Sequence, residues 1–581
     1  MLLVAAAIAF TYDPVRQFDF VNWDDDQYIV ENPRVLGGLT AENIAWAFTT
    51  THVANWHPLT WLSHQLDATW FGARPGPVHV ENVLWHILNT WLVLRVLRQL
   101  GMSLMGALAI TGIFALHPLR VESVAWISER KDLLSACAGL CAVLAYLRYV
   151  RQPSAWRMAL VAAWQFVSLL CKPMLVTLPV LLLILDDYPL RRWSRPTWRA
   201  ILGEKWPLIV VSLLFCVIAL FAQHAGGALR TIGELPLLDR ITNAAAVVFI
   251  YLRQTAWPSE LACFYPRRVY AWGGAAAVIL GLITLAAWHG RASRHVLFSG
   301  WLWYLVALLP VVGLVQVGDQ AHADRYTYLP QLGLITMLVV SVGRWLPKRH
   351  VQAVVVAAVL LMLSWQTSRQ VLVWRDSETL FTHCLAVTGE QPLAHFNLGL
   401  HLAAHGQPVE AEEHYRRAVA LQPVYPKAHN NLGVLLKERG DLPAAVEQFR
   451  LAAAQQPGYF AALMNLGQTL DALGDTSGAS DALRHAVEAE PLNVRGHTAI
   501  GRLLLNQRNL SGAATRLARA IELAPQDPEA LLYLGIVRIE EGATTEARTL
   551  IERARQLSPH DARVQRVAAE QLARLKLNPQ P

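Results

Sequence analysis

The strongest constraint on the fold of this chain is a regular period of 34 residues in its C-terminal part. A glycine, an alanine and a proline each return at this interval. Small residues let two helices approach closely, and proline ends a helix because it cannot donate the next backbone hydrogen bond. The period therefore predicts a stack of helix pairs. The repeating positions are Gly399, Gly433, Gly467, Gly501 and Gly535; Ala418, Ala452, Ala486, Ala520 and Ala554; and Pro423, Pro457, Pro491, Pro525 and Pro559.

This pattern is the signature of the tetratricopeptide repeat, whose unit is 34 residues long. The sequence predicts a linker helix over 371–391, five repeats over 392–561, and a capping helix with a tail over 562–581. Such arrays form self-supporting α-solenoids with an extended binding surface. We therefore expect a protein or peptide partner for this half of the chain, in which no catalytic constellation is visible.

Asparagine precedes the Leu-Gly pair in the first three repeats, at Asn397, Asn431 and Asn465. A ladder of amide groups along a groove can hold an extended peptide backbone, whatever its side chains. We expect these residues to bind the peptide of an acceptor protein. Asparagine is also simply frequent at this position of such repeats, so the residues alone leave both interpretations open.

Residues 1–370 have the composition of a membrane domain. The chain is 54% hydrophobic and only 16% charged, whereas an average soluble protein is about 25% charged. Most of the apolar segments before residue 370 approach the roughly 20 residues that a spanning helix needs. The net charge of +7 comes from basic residues that collect in short loops, so it indicates orientation in a bilayer and no nucleic-acid partner. The six cysteines lie mostly inside apolar segments and form no disulfide framework.

The basic loops predict the topology. They fall on one side of the bilayer if the segment 241–258 dips in and returns instead of crossing. The predicted fold is then all-α, with about eleven spans, the N-terminus inside and the repeats outside. A cleaved signal peptide is not expected, since no basic region or small-residue cleavage site precedes Asp13. Four loops share the outer face, at 13–82, 120–132, 224–240 and 317–325.

These outer loops carry charged residues of both signs. Asp24, Asp25 and Asp26 stand in a row in the first loop, and adjacent carboxylates repel one another unless water, a cation or a substrate lies nearby. Carboxylates serve as general bases or metal ligands, and arginine can bind phosphate through two hydrogen bonds. Acids and bases on one face thus predict an enzyme site at the bilayer surface. Further candidates there are His57, His79, His117, Glu122, Arg130, Lys131, His322 and Arg325.

Four stretches of the first half carry a family resemblance: FVNWDDDQYIVEN (20–32), HPLTWLS (57–63), HVENVLWH (79–86) and HPLRVESVAWISERKDLLS (117–135). Together with Lys172 and the repeats, in this order, they resemble the transmembrane and tetratricopeptide-repeat (TMTC) O-mannosyltransferases and their bacterial relatives, in the glycosyltransferase C superfamily. The resemblance implies transfer of a sugar from a polyprenyl-phosphate carrier on the outer face of the membrane. Such a donor needs no nucleotide, and the sequence has no P-loop or GxGxxG motif.

The resemblance implies that an acid of the first outer loop is the catalytic base. We assign this role to Asp24 with Asp25 supporting it, although the sequence cannot separate the two adjacent acids. From its chemistry, Glu122 would orient the acceptor or hold a divalent cation. Arg325 is our choice for the donor phosphate. Helpers for the phosphate would be Arg130, Lys131, Lys172 and His322, and His57, His79 and His117 would line the site.

Other interpretations of these residues stay open. Each basic residue could instead anchor the protein at the lipid headgroups. For His79, Asn82 and His86, a packed network is favoured over a metal site, because residues seven apart on a helix are about 10 Å apart. Whether any metal takes part is left open.

The leading hypothesis is an inverting transferase in the inner membrane of a bacterium, with the repeats on the periplasmic side. It would move a mannose-like sugar onto Ser or Thr hydroxyls of exported proteins. One alternative acceptor is a lipid or a surface glycan. The other alternative is a scaffold without enzyme activity, whose repeats recruit partners for envelope assembly; exposed carboxylates beside the bilayer argue against it.

Overall fold

The computed structural model describes residues 1–193, 197–227, 236–292, 294–316, 318–346 and 348–577. The chain divides into two compact units, Met1–Asn397 and Leu398–Pro581. The described residues are mainly helical and contain no β-strand; one isolated bridge pairs Pro266 with Gln320. Residues 228–235 of the predicted third outer loop and residues 578–581 of the predicted tail lie outside the described ranges.

The α-helices up to residue 388 are α1 Leu2–Thr11, α2 Pro33–Leu36, α3 Ala41–Thr49, α4 Pro58–Phe71, α5 Pro75–Gln99, α6 Leu104–Leu116, α7 Val121–Ala125, α8 Arg130–Arg151, α9 Ala155–Cys171, α10 Leu178–Asp187, α11 Trp198–Glu204, α12 Trp206–Ala225, α13 Leu237–Ala256, α14 Gly273–His289, α15 His295–Leu308, α16 Gln331–Trp345, α17 Arg349–Leu372 and α18 Ser377–Thr388. Short 3₁₀ helices at Pro118–Arg120, Ile127–Glu129 and Asp324–Thr327 connect several of them.

Three helices in the described ranges are long and apolar enough to cross a membrane, namely Ile127–Arg151, Trp206–Ala225 and Arg349–Leu372. A fourth crossing is possible if Leu104–Leu116 and Pro118–Ala125, which meet at 60°, form one broken span. Other apolar helices are shorter, such as the 17 residues of α14. The number of about eleven spans is therefore not confirmed and stays a prediction. Residues 241–256 of the segment predicted to re-enter lie in one continuous helix of 20 residues, α13.

One face of α12 shows why this unit suits a lipid environment. Leu213, Val217 and Phe221, each one turn apart, are 59–66% exposed. The opposite face packs Leu208 and Phe215 into a core shared with α8, α9 and α10. An apolar stripe of this length is costly in water, but it is the normal surface of a helix in a bilayer.

The repeat array contains the α-helices α19 Pro392–Ala404, α20 Pro408–Leu421, α21 Pro426–Glu438, α22 Leu442–Gln455, α23 Phe460–Ala472, α24 Thr476–Ala489, α25 Val494–Asn506, α26 Leu510–Leu523, α27 Pro528–Glu540, α28 Thr544–Leu557 and α29 Ala562–Leu577. Five helix pairs and a last single helix are the arrangement that the 34-residue period predicts. The predicted linker helix is shorter than expected, because Asp376 caps the start of α18 by accepting a hydrogen bond from the Thr379 amide at 2.8 Å.

The repeating glycines mark the closest approach between paired helices. A Cβ atom built on Gly433 would lie 2.6 Å from the ring of Phe449, and one on Gly467 would lie 2.6 Å from Leu483. Real Cβ contacts are longer than this, so any larger residue would push the two helices apart. The glycine period is thus a packing requirement within each pair.

Candidate active site

The structure separates the roles of the first two acids of the triplet. Asp25 is fully buried and accepts hydrogen bonds from the Val21 amide (3.1 Å), the Ser128 amide (3.0 Å) and the Ser128 hydroxyl (2.5 Å). Its oxygens are therefore committed to holding the first loop against the segment before α8. Burial raises the pKa of Asp25 to about 7, against the effect of these hydrogen bonds.

Asp24 is the acid that remains available. It is half-buried, and its carboxylate has no hydrogen-bond partner among the described residues. Burial raises the pKa of Asp24 to about 6; Lys131 and Arg325 oppose this shift, and Glu129 adds to it. Asp26 differs again, because its side chain accepts a hydrogen bond from the neighbouring Gln27 amide at 2.8 Å. Asp24 alone among the three combines a free carboxylate with nearby cations.

Arg325 is held by two carboxylates. Its amide donates to Glu122 Oε2 at 2.7 Å, and its guanidinium donates to the second oxygen of Glu122. Its Nε lies 3.3 Å from Glu129 Oε1. The 3₁₀ helix that carries Arg325 thus joins the turn before α8, although the two are far apart in sequence.

Two lysines complete the group. Lys131 Nζ lies 3.2 Å from Glu129 and donates to the Tyr28 hydroxyl at 3.2 Å. Lys172 Nζ lies 2.9 Å from Glu129 and 2.7 Å from Asp132. We call this group the charged cluster; it consists of Asp24, Glu122, Glu129, Lys131, Asp132, Lys172 and Arg325. Contacts join three of these carboxylates, Glu122, Glu129 and Asp132, to the three cations in a space that is largely closed to solvent. The fourth carboxylate, Asp24, is included because the charges of Lys131, Glu129 and Arg325 act on it.

Glu129 and Asp132 are members to which the sequence analysis assigned no role. Both lie in the stretch 120–132, the predicted second outer loop, together with Glu122. Glu129 contacts three cations, Lys131, Lys172 and Arg325. Their convergence is visible only in three dimensions, because Arg325 and Lys172 come from distant segments.

Arg130 is not part of the charged cluster. Its guanidinium pairs with Asp67, lies 3.3 Å from Glu81, and donates to Asn82 Oδ1 at 2.7 Å. It is fully buried among these partners. As neighbours at the start of α8, Arg130 and Lys131 point in different directions, so a helper role for Arg130 at the phosphate has no support in its contacts.

The predicted histidines also differ in whether they lie near the charged cluster. His57 stacks on Tyr28 with 5.5 Å between ring centroids, and Tyr28 in turn contacts Lys131, so His57 lies behind the charged cluster. His79 lies 3.3 Å from the Asp19 carbonyl and His117 lies 3.1 Å from the Thr255 carbonyl, both as buried packing groups.

His322 packs against aromatic side chains. Its ring stacks on Tyr265 with 4.0 Å between centroids, and neither ring nitrogen has a partner among the described residues. Burial lowers the pKa of His322 to about 3, so the ring is neutral and offers no positive charge to a phosphate. Within the described part of the chain, no group of three or more His, Cys, Asp or Glu residues is arranged to hold a metal ion.

The asparagines of the repeats bond to one another. Asn465 donates to Asn430 at 3.0 Å, Asn430 donates to Asn431 at 3.1 Å, and Asn431 lies 3.4 Å from the Tyr415 hydroxyl. In the first unit, the Asn397 carbonyl accepts a hydrogen bond from Asn22, next to the acidic triplet, at 2.8 Å. Asn430 was missed from sequence and belongs to the same polar chain as the predicted Asn431 and Asn465.

Both halves of the chain resemble known proteins. Two tetratricopeptide-repeat family models match, one over residues 374–426, 396–460 and 498–562 and the other over 436–503. Protein O-mannosyl-transferase TMTC1 of Homo sapiens is 24% identical over 497 residues, which are 72% of this chain. The chain is a homologue of the TMTC proteins. The predicted family resemblance is thereby confirmed.

Shorter parts of the chain also match known proteins. Protein O-mannosyl-transferase Tmtc1 of Drosophila melanogaster is 33% identical over 162 residues, 27% of this chain and 19% of the fly protein. The solved tetratricopeptide protein YrrB covers 33% of this chain and 97% of its own length, at 19% identity and a TM-score of 0.29. The chain spans 55% of the length of the human TMTC1 protein.

Proposed function

We propose that this TMTC homologue is a membrane glycosyltransferase that moves a mannose-like sugar from a polyprenyl phosphate to Ser or Thr hydroxyls of exported proteins. The proposal rests on the Asp24 carboxylate, which is half-buried and has no hydrogen-bond partner among the described residues; the charges of Lys131 and Arg325 lie near enough to lower its pKa, against the effect of burial. Homologues named as protein O-mannosyl-transferases support the same reaction class. A membrane domain of about eleven spans in the bacterial inner membrane, with the repeats outside, is part of this proposal.

The proposed step is a direct displacement with inversion. Asp24 takes the proton of the acceptor hydroxyl while the oxygen of that hydroxyl forms a bond to C1 of the sugar. The bond between C1 and the phosphate oxygen breaks, and the phosphate leaves on its carrier. General-base assistance of this kind contributes about 10²–10⁴ in rate. The pKa of about 6 keeps Asp24 ionised at neutral pH while leaving it basic enough to accept a proton.

The cations of the charged cluster would stabilise the leaving phosphate. Arg325, Lys131 and Lys172 are each already balanced by carboxylates of the cluster. The phosphate would therefore share these cations with Glu122, Glu129 and Asp132. The acids also hold the cations in place before the donor arrives, which is how enzymes avoid reorganisation during the reaction.

The triplet offers a matched test. Purified wild type, Asp24→Asn, Asp25→Asn and Asp26→Asn would be compared for transfer from a labelled polyprenyl-phosphate mannose in liposomes. We expect Asp24→Asn to lower the transfer rate by a factor of about 10² or more and to leave thermal stability unchanged. Asp25→Asn should lower stability, and Asp26→Asn should retain activity within about twofold. Full activity of Asp24→Asn would refute the assignment of the base.

The acceptor class can be tested with the same donor. Labelled sugar should appear in the protein fraction when an exported protein is supplied. Label found only in the lipid or glycan fraction would instead favour the alternative acceptor, and no transfer by the wild type would favour a scaffold.

A further inference from the structure

Two cysteines meet where α18 packs against the loop 257–272, which connects α13 to α14. Cys263 lies in this loop and Cys384 lies in α18, and both side chains are buried. The helix contacts the loop on both sides of Cys263. His383 Nε2 lies 2.9 Å from the Leu261 carbonyl oxygen, and Cys384 Sγ lies 3.7 Å from the Phe264 carbonyl oxygen. These contacts hold the backbones of the two cysteines close together.

The two thiols also contact each other. A hydrogen bond joins Cys263 to Cys384, and Gln391 Nε2 donates a second hydrogen bond to Cys384 Sγ at 3.1 Å. The bond between the thiols lowers the pKa of Cys384, against the effect of burial. A lower pKa favours the thiolate, which is the form that attacks a disulfide. Because an S–S bond is only about 2 Å long, a disulfide forms only between cysteines that are already this close.

The position of the pair suits an oxidising compartment. The other four cysteines lie in the apolar helices α8, α9 and α12, namely Cys137, Cys141, Cys171 and Cys216. The loop 257–272 instead contacts the predicted last outer loop, since the Ala321 amide donates to the Tyr265 carbonyl at 2.9 Å. The proposed orientation puts this face in the periplasm, where disulfides form and persist. The sequence predicts no disulfide framework, so a single bridge departs from that prediction.

We propose that Cys263 and Cys384 form a disulfide bond that fastens α18 to the loop 257–272. The Cys384 thiolate attacks one sulfur of an oxidant that carries a disulfide, and the oxidant's other sulfur leaves as a thiolate. The Cys263 thiolate then attacks the Cys384 sulfur, and the rest of the oxidant leaves as a second thiolate. The protein thiols lose two protons and two electrons, and the oxidant becomes two thiols. Since both cysteines are buried, this happens before α18 has packed or while it is locally detached.

The bridge would also stabilise the surroundings of the acidic triplet. The ring of Trp23 lies 5.8 Å from that of Phe264 and 6.1 Å from that of Phe381, measured between centroids. Trp23 thus packs against both segments that the bridge joins, and Asp24 is the next residue in the chain. This consequence rests on the proposed function: if Asp24 is the catalytic base, loss of the bridge should slow transfer.

The test is disulfide mapping of the full-length protein in detergent, as isolated and after equilibration with oxidised glutathione. Free thiols are alkylated after denaturation, and peptides are identified by mass spectrometry with and without reduction. We expect one linked pair of peptides containing Cys263 and Cys384, lighter by about 2 Da than the two free peptides and separated by reduction. Cys137 and Cys141, which lie one turn apart on α8, are the matched pair and should both be alkylated.

The outcomes of the mapping are distinct. Alkylation of both Cys263 and Cys384 without reduction, in both samples, would overturn the inference. A pair that is free as isolated but linked by oxidised glutathione would keep the bond and contradict the proposed orientation. In Cys263→Ser, Cys384 should be alkylated throughout; a new link from Cys384 to another cysteine would show that the pairing is not specific, and would also overturn the inference.

A second measurement separates this inference from the proposed function. Dithiothreitol should lower the thermal unfolding temperature of the wild type and slow its sugar transfer by about twofold or more. The double variant Cys263→Ser with Cys384→Ser should match the reduced wild type and should not respond to dithiothreitol. A linked pair in a protein that transfers no sugar would keep the bond and refute the enzyme. Transfer by a wild type with both thiols free would do the reverse.

Discussion

The charged cluster and the repeat array are both built from close contacts, but the contacts span very different lengths of chain. In the repeats, Gly433 faces Phe449 on the next helix. In the cluster, Ser128 donates to Asp25 across 103 residues, and Arg325 donates to Glu122 across 203 residues. The array is therefore specified by local sequence, whereas the cluster exists only after the whole membrane unit has folded.

The two regions also differ in what holds them together. The repeats pack apolar side chains against small residues, so each contact is favourable on its own. The cluster contains buried ion pairs, and a buried ion pair is favourable only while both of its partners are present. Single substitutions should therefore act very differently in the two regions.

The largest effect is expected from breaking the pair between Glu122 and Arg325. Removing one partner of a buried ion pair costs about 3–5 kcal/mol, because the other charge is left uncompensated. Glu122→Gln keeps the shape of the side chain and removes its charge. We expect a lower thermal unfolding temperature in detergent together with weaker binding of the donor lipid.

An exposed pair provides the control for this prediction. Arg253 and Glu260 are 3.1 Å apart, with side chains 56% and 65% exposed. Glu260→Gln should cost about 0–1 kcal/mol. Equal losses of stability in the two variants would contradict the view that the charged cluster is a mutually dependent group.

A smaller effect is expected in the repeats. A Cβ atom on Gly433 would lie 2.6 Å from Phe449, and overpacking of this kind costs about 1–3 kcal/mol. The better helix propensity of alanine offsets up to about 1 kcal/mol of this cost. Gly433→Ala should therefore speed hydrogen exchange in α21 and α22 and leave the charged cluster unaffected.

Gly458 is the matched control in the array, since a Cβ atom there would meet nothing within 4 Å. Gly458→Ala should exchange like the wild type. If exchange also increased around the charged cluster in Gly433→Ala, the separation of the two regions would be wrong.

The same contrast explains what the sequence could predict. The helix pairs followed from the period of Gly399, Gly433 and Gly467, because each repeat encodes its own packing. The acids of the predicted outer loops were proposed as a group from their positions beside apolar segments. The number of spans was not confirmed, since several apolar helices, such as α14 with 17 residues, are shorter than the roughly 20 residues that a spanning helix needs.

The individual environments of residues in the charged cluster could not be predicted from the sequence. Asp24 and Asp25 are neighbours of the same type, and only the bonds from Val21 and Ser128 distinguish them. Arg130 and Lys131 are likewise adjacent cations, yet Arg130 pairs with Asp67 away from the cluster. Side-chain direction at a helix start depends on distant partners, which composition and spacing do not contain.

The central claim is that the Asp24 carboxylate accepts the proton of the acceptor, and the pH dependence of single-turnover transfer tests it most directly. Burial raises the pKa of Asp24 to about 6 from its ordinary value of 3.8. A carboxyl group whose pKa is higher in the folded than in the unfolded protein stabilises the fold less as the pH increases through that pKa. A transfer rate that rises with pH therefore cannot come from a more stable fold. We predict that the rate rises through about pH 6, with a loss of about tenfold per pH unit well below it, in wild type and in Asp26→Asn. A rate that stays constant between about pH 4.5 and 7.5 would contradict the account.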